Sequence, residues 1–214
     1  MGADEQGFEA IEHALKRAAA ALRDAGVPFL LGGSLASWAR GGPESRHDLD
    51  LMIRPEDAER ALEALVQAGM RAEEPPEEWL LKAWDGDVLV DLIFEPKGLP
   101  MTEEVLARDE PRAVLGMDML VMALEDVLTT KLMALSEHAM RYEDLLRISR
   151  ALREQVDWET VRARTAESPF ARAFFVLLEG LDILPEAPQQ PAGGPRRARV
   201  RVLTPQGSDA PQPG

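Results

Sequence analysis

The spacing of apolar residues predicts alternating helices and short strands in the first part of the chain. Residues 5–25 carry apolar side chains at helical spacing, and Gly26 ends this helix. The apolar run at 29–31 stops at two glycines, as a short buried strand does, and Ser34 begins a short helix. A second apolar run at 49–53 predicts another strand, and a further helix follows it.

A hairpin is predicted next, because residues 79–84 and 88–94 flank the turn sequence Asp-Gly-Asp. In its second arm, strand alternation places Asp91 on the same side as the apolar residues two positions away on either side. A carboxylate among apolar neighbours is unfavourable unless it is paired or binds a cation. Asp91 is therefore a candidate functional residue.

The second part of the chain is predicted to be helical. A strand at about 112–122 precedes helices at 123–137, 141–154, 157–166 and 168–180. From Pro185 onward proline, glycine, glutamine and serine dominate, and the periodicity ends. We therefore predict an α+β fold, a mixed sheet with helices followed by a small helical part. The predicted divisions are a first domain at 1–115, a helical region at 116–182 and a disordered tail at 183–214.

Composition narrows the choice of partners. The chain has 214 residues, a formal net charge of −14 and no cysteine. The acidity argues against a nucleic acid as the partner, because proteins that bind a phosphate backbone usually carry a basic face. Without cysteine, a metal would be held by oxygen ligands, which suits Mg²⁺ or Mn²⁺. No apolar run reaches the ~18 residues that span a bilayer, so we expect a cytoplasmic protein without a membrane segment.

Three pieces of sequence carry candidate chemistry. Gly32-Gly33-Ser34 joins a strand to a helix, where glycines let a phosphate approach the backbone; a purely steric role for the glycines is the alternative. Asp48 and Asp50 lie two positions apart, so they share one face of a strand and could bind a divalent cation. The alternative for this pair is an exposed strand edge.

Asp91 is the third piece. If its strand lies beside the strand of Asp50, three carboxylates converge, and such a group repels itself strongly without cations. Two Mg²⁺ ions bound there would bridge the phosphates of a nucleotide and stabilise a leaving pyrophosphate.

In this combination the sequence resembles the polymerase-β nucleotidyltransferase superfamily. The segment LLGGSLASWARGGPESRHDLDLMI at 30–53 is similar to small adenylyltransferases that act on aminoglycosides and lincosamides, and also to toxin-type and phage-defence nucleotidyltransferases. The segment at 124–135 resembles the helix that follows the catalytic domain in those proteins. The resemblance covers residues 5–155.

The resemblance implies a transferase that moves a nucleoside monophosphate, AMP from ATP, to a hydroxyl of a small molecule or protein and releases pyrophosphate. It implies that Asp48, Asp50 and Asp91 hold two Mg²⁺ ions, with Mn²⁺ as a substitute. Asp91 would also accept the proton of the acceptor. The nucleotide-binding residues that it implies are Gly32, Gly33, Ser34, Arg46 and Lys131. Arg46 stands where family members often carry Ser or Thr, and it would neutralise a phosphate instead.

Two other functions stay open from the sequence. One is a toxin-type or defence enzyme that modifies tRNA or a protein, and the other is an inactive nucleotide-binding module. An acidic, partly aromatic rim that includes Trp79 and Trp84 would suit a cationic acceptor, although an ordinary exposed loop has the same composition.

Overall fold

A central mixed sheet organises the chain up to Val121 in the computed structural model, which describes residues 3–44, 48–108 and 110–185. The strands in these ranges are β1 (Leu30–Leu31), β2 (Leu49–Met52), β3 (Arg71–Glu73), β4 (Leu80–Asp85), β5 (Val88–Ile93), β6 (Glu110–Val114) and β7 (Met117–Val121). Their order in the sheet is β3-β4-β5-β2-β1-β7-β6. The predicted α+β fold is confirmed.

Helices cover the sheet and then continue alone toward the end of the described chain. They are α1 (Ala3–Asp24), α2 (Gly33–Trp38), α3 (Ala58–Gln67), α4 (Glu103–Leu106), α5 (Leu124–Met133), α6 (Tyr142–Leu152), α7 (Trp158–Arg164) and α8 (Pro169–Gly180). Short 3-10 turns at Pro55–Asp57 and Arg153–Gln155 precede α3 and follow α6. Within the described ranges, no helix has the length and apolar character needed to cross a bilayer.

The centre of the sheet pairs β2 with β5 in parallel, and β4 with β5 in an antiparallel hairpin. Residues Leu49, Leu51 and Leu92 are fully buried on one face of these strands. Because side chains alternate along a strand, the polar residues between them point to the opposite face. Burial of the apolar face therefore sets the register, since a shift by one residue would move every carboxylate into the core.

Two hydrophobic clusters divide the described chain. The larger one lies between the sheet and helices α1 to α3, and the smaller one lies among α5 to α8 around Phe174 and Phe175. Strand β7 lies beyond residue 115 and belongs to the same sheet as the strands before it. Ile183 and Leu184 are buried in the smaller cluster. The predicted domain divisions remain predictions, and the tail from residue 186 lies outside the described ranges.

Candidate active site

Asp50 and Asp91 lie directly opposite each other on adjacent parallel strands. The register pairs Leu49 with Val90, Asp50 with Asp91, and Leu51 with Leu92. Asp91 is buried, with 8% of its surface exposed, while Asp50 is half-buried. Parallel pairing puts the two carboxylates on the same face of the sheet, as far apart as neighbouring strands, roughly 5 Å. Asp48 precedes the strand and is exposed, yet its charge acts on both.

The turn from β1 into α2 covers Asp50 with backbone instead of side chains. Gly33 has φ +58, and a Cβ added there would overlap Asp50 Oδ2 and lie 2.5 Å from its Cγ. Glycine is therefore required at position 33, both for the left-handed backbone and for the close approach. The backbone N–H of Ser34 donates a hydrogen bond to the Asp50 carboxylate.

Gly32 has a different role from the neighbouring glycine. Its N–H donates to the carbonyl oxygen of Asp50 at 2.9 Å, so this amide continues the sheet. A Cβ at Gly32 would lie 2.7 Å from Met52 Sδ. The geometry thus supports close packing at this glycine, and its predicted contact with a nucleotide stays a prediction.

Lys131 reaches the same place from helix α5. Its Nζ donates to Ser34 Oγ at 3.1 Å, and its positive charge acts on the Asp50 carboxylate. The side chain of Lys131 is therefore not that of an ordinary surface lysine, because it joins two separate elements at the glycine turn. Lys131 and Ser34 are placed to contact an anion beside Asp50.

A cavity of about 520 Å³ opens at this point, between the sheet and α5. A volume of this size is typical of small-molecule sites. The lining includes Gly33, Asp50, Met52, Trp79, Ile93 and Lys131. Asp91 is not among the residues that line it, so the cavity extends from Asp50 toward Lys131 and Trp79.

The opposite side of Asp91 faces the β4 strand. Lys82 is directly across from Asp91 in the hairpin register, and Lys82 Nζ lies 3.6 Å from Glu77 Oε2. Asp91 Oδ1 is buried and has no hydrogen-bond partner among the described residues. A buried carboxylate oxygen without a partner is costly, and a bound cation would supply the missing partner of this one.

Burial and the charges of neighbouring carboxylates raise the pKa of both strand acids. The pKa of Asp91 is raised to about 7, chiefly by burial and also by the charges of Asp50 and Asp48, against the opposing charge of Lys82. The pKa of Asp50 rises to about 6, mainly through burial, against the opposing charge of Lys131. Paired carboxylates with raised pKa values are typical of catalytic and metal-binding sites.

The residues fit a divalent cation in the kind of ligands they offer. Asp50 and Asp91 supply carboxylate oxygens side by side, and Oδ1 of Asp91 has its lone pairs unused among the described residues. Oxygen ligands of this type suit Mg²⁺ and Mn²⁺. No ready-made group of three or more acidic, histidine or cysteine ligands occurs in the part of the chain that is described. The pair is preformed by the sheet, whereas Asp48 lies outside the ladder.

Arg46 and Arg40 are the two basic residues that follow the glycine turn in the sequence. Arg46 lies outside the described residues, so its predicted contact with a phosphate stays a prediction. Arg40, which ends the helix after the glycine turn, is buried and donates to the carbonyl oxygens of Val121 and Met122 and to Glu110. Arg40 therefore anchors α2 against the sheet and is turned away from the site.

Sequence reasoning overlooked Lys82, although a signal for it was present. A two-residue turn at Gly86-Asp87 pairs Asp85 with Val88, and counting back along both arms pairs Lys82 with Asp91. The structure also separates the two indoles assigned to a single rim. Trp79 lines the cavity beside Asp50, whereas Trp84 donates a hydrogen bond to Glu73.

Solved structures with this fold include an antibiotic-resistance factor. The solution structure of ANT(2'')-Ia superimposes with a TM-score of 0.54 at 19% identity, over 80% of this chain and 96% of that chain. The crystal structure of ANT(2'')-Ia in complex with adenylyl-2''-tobramycin gives a TM-score of 0.55 at 18% identity, over 78% and 97%. At these identities the likeness concerns the fold. Among curated proteins, none matches the chain by sequence.

The family match and the shared fold together define the class as nucleotidyltransferases, which confirms the resemblance to the polymerase-β type that was drawn from the glycine turn and the three acids. A family model described as uncharacterised nucleotidyltransferase matches residues 6–182. The chain belongs to this family, and it is a transferase enzyme. The description of the family specifies neither the nucleotide nor the acceptor of the reaction.

Proposed function

We propose that this enzyme transfers a nucleoside monophosphate, AMP from ATP, to a hydroxyl of a small molecule or protein in a reaction that requires Mg²⁺. The observation that carries the proposal is the pairing of Asp50 with Asp91 on adjacent parallel strands, beside the Gly33 turn and Lys131. Acids gathered beside a lysine and a cavity fit the transfer of a phosphoryl group, which depends on positioning and charge neutralisation.

The two sides of the acid pair divide the reaction between them. Lys131 and the Ser34 hydroxyl lie on the cavity side and would hold the departing phosphates. Asp91 lies across from Lys82 of β4, and its Oδ1, which has no partner among the described residues, would accept the proton of the attacking hydroxyl. The acceptor oxygen then bonds to the α-phosphorus as the bond to the bridging oxygen breaks, and pyrophosphate leaves.

Asp50 and Asp91 would hold Mg²⁺, with Asp48 as a further ligand. When bound, the ion supplies positive charge to the phosphates and lowers the repulsion among the carboxylates. The protein's own part is to keep the pair at fixed separation, which the parallel ladder does through its backbone hydrogen bonds.

The test is transfer from nucleotides labelled at the α-phosphate. Labelled ATP, GTP, CTP and UTP are incubated with Mg²⁺ and a panel of acceptors that includes aminoglycosides, other polyhydroxy compounds, proteins and tRNA. We expect pyrophosphate release together with label on a small-molecule or protein acceptor, most strongly from ATP.

Asp91→Asn provides the inactive comparison, and Asp87→Asn provides the control. Asp87 is an exposed acid in the turn of the same hairpin, so its substitution tests the charge change without touching the pair. Equal turnover by the Asp91→Asn variant and the wild type would contradict the proposal. Label that appears only on tRNA would replace the proposed acceptor class with a nucleic acid.

A further inference from the structure

The wall of the cavity far from Asp50 includes an exposed tryptophan, Trp79. Trp79 exposes 41% of its surface, although it is a large apolar side chain that borders a well-packed sheet. Its backbone is nevertheless anchored, because the backbone N–H groups of Phe94 and Glu95 both donate to the Trp79 carbonyl oxygen at 3.2 Å. An indole on an anchored backbone that stays open to a cavity is available to a ligand.

Sheet geometry places this indole beyond the acid pair. Leu80 is opposite Ile93, which lies two residues past Asp91 toward the carboxyl end of β5. Trp79 is one residue further still, so it lies roughly 10 Å along the strand direction from the row of Asp91. Met52 and Ile93 provide an apolar floor between that row and the indole.

The cavity belongs to the nucleotide side of the site. Its lining includes Asp50 and Lys131 but not Asp91, the residue that would accept the acceptor's proton in the proposed reaction. A nucleotide with its phosphates at Lys131 and Ser34 would therefore extend its nucleoside over the apolar floor. Aromatic side chains stack on nucleobases through their π-faces, and such stacking depends little on which base is present.

We propose that Trp79 stacks on the base of the bound nucleoside triphosphate and supplies much of its binding. The inference rests on the proposed function, because it takes the phosphates to lie at Lys131. Since stacking tolerates every base, the cavity wall would favour purines by their larger area and would still admit other nucleotides.

The experiment compares Trp79→Ala and Trp79→Phe with wild type. We expect Trp79→Ala to raise the KM for ATP by about 10- to 100-fold with kcat nearly unchanged, the size of one stacking interaction. Trp79→Phe keeps an aromatic face and should recover most of that loss. Calorimetry with α,β-methylene ATP should show the same order of affinities without turnover.

Inorganic tripolyphosphate, which has the phosphates of ATP but no base, tests phosphate binding separately from base binding. We expect it to bind Trp79→Ala as tightly as wild type, since its contacts are at Lys131 and Ser34. Nucleotide binding should also quench indole fluorescence in wild type and lose that quenching in Trp79→Phe. Trp84→Phe is the matched control, because this indole lies outside the cavity lining; it should leave the KM for ATP and the quenching unchanged.

Three results would overturn the inference. Unchanged affinity of Trp79→Ala for the ATP analogue would remove the stacking role. An equal loss of tripolyphosphate binding would show that the substitution disturbs the site as a whole. A raised KM for the acceptor alone would assign Trp79 to the acceptor. In each case wild-type transfer and its loss in Asp91→Asn would still stand, so the proposed function is judged separately.

Discussion

Two of the buried aspartates, Asp126 in the helical part and Asp91 in the sheet, have opposite electrostatic surroundings. Asp126 in the helical part is 1% exposed, and its two oxygens face Arg164 Nη1 at 2.5 Å and Arg108 Nη2 at 3.5 Å. Asp91 in the sheet is 8% exposed, faces another carboxylate and leaves Oδ1 without a partner among the described residues. The first is neutralised by arginine, and the second is not.

The difference separates structural acids from functional ones. A buried carboxylate between guanidinium groups stabilises the packing of the elements that carry them. A buried carboxylate beside another acid destabilises the fold, so it persists where a ligand or a reaction uses it. Burial alone therefore does not identify a catalytic acid, whereas a buried carboxylate oxygen that lacks a direct basic partner does point to one.

The largest expected effect is on catalysis, from Asp91→Asn. Because it removes the proposed base and a metal ligand, transfer should fall by at least about 10³-fold. Steady-state assay of pyrophosphate release measures this loss. Asp126→Asn, assayed in parallel below its unfolding temperature, should retain most of the wild-type rate. Comparable losses in both variants would break the distinction between the two acids.

Gly33→Ala should affect the site next most strongly. The added methyl group would overlap the Asp50 carboxylate and move it, and a displacement of about 1 Å in a site costs about 100-fold in rate. Gly26→Ala is the control, because Gly26 has a similar φ of +65 and open space around its Cβ position. It should lose about 1 kcal/mol of stability from backbone strain and keep its activity.

Asp126→Asn should lower the free energy of unfolding by about 2–3 kcal/mol, because it removes the charge that Arg164 and Arg108 share. Urea denaturation at pH 7 measures the change. The matched substitution at Asp91 should leave stability unchanged or raise it. Destabilisation of similar size in both variants would mean that the sheet acid is also a structural one.

The smallest expected effect is on the pH dependence of the free energy of unfolding. Asp91 has a folded-state pKa of about 7, above its ordinary value near 4, so the folded state binds this proton more tightly than the unfolded state. Its contribution to stability is therefore full below pH 4 and is lost as pH rises through 7. In EDTA, the wild type should lose on the order of 2 kcal/mol more than Asp91→Asn between pH 5 and 8.

Thermal unfolding of the two proteins across this range provides the measurement. Adding Mg²⁺ at pH 8 should restore stability to the wild type more than to the variant, since a cation can replace the lost proton. Parallel curves for wild type and variant in EDTA would show that Asp91 does not titrate as its surroundings indicate.

Most elements of the fold were predictable from local pattern. The helices after residue 123 and the β4–β5 hairpin match their predicted ranges closely, because apolar periodicity and turn residues act over short distances. The strand predicted at 112–122 is instead a hairpin, with Leu115 and Gly116 at positive φ in its turn. Strand β3 was not predicted, since all three of its residues are exposed and polar or small.

The candidate site was predicted as residue types and only partly as an arrangement. The acids at 48, 50 and 91 and the glycine turn are visible in the sequence because strand alternation exposes a polar residue in an apolar run. Their assigned roles in metal and nucleotide binding stay predictions. The two hydrogen bonds of Ser34, from Lys131 to its hydroxyl and from its backbone N–H to Asp50, could not be predicted from the sequence. Lys131 and Ser34 are 97 residues apart in the chain, and local pattern does not report on contacts at that distance.

By itself the sequence determined most of the elements, the alternation that turns carboxylates away from the core, and a resemblance that indicated the enzyme class. Tertiary structure alone decided which acids meet, which are neutralised by arginine, and that Trp79 and Trp84 lie in different surroundings. The reason is physical: periodicity is a property of neighbouring residues, whereas the parallel pairing of β2 with β5 depends on how distant segments bury their apolar faces together.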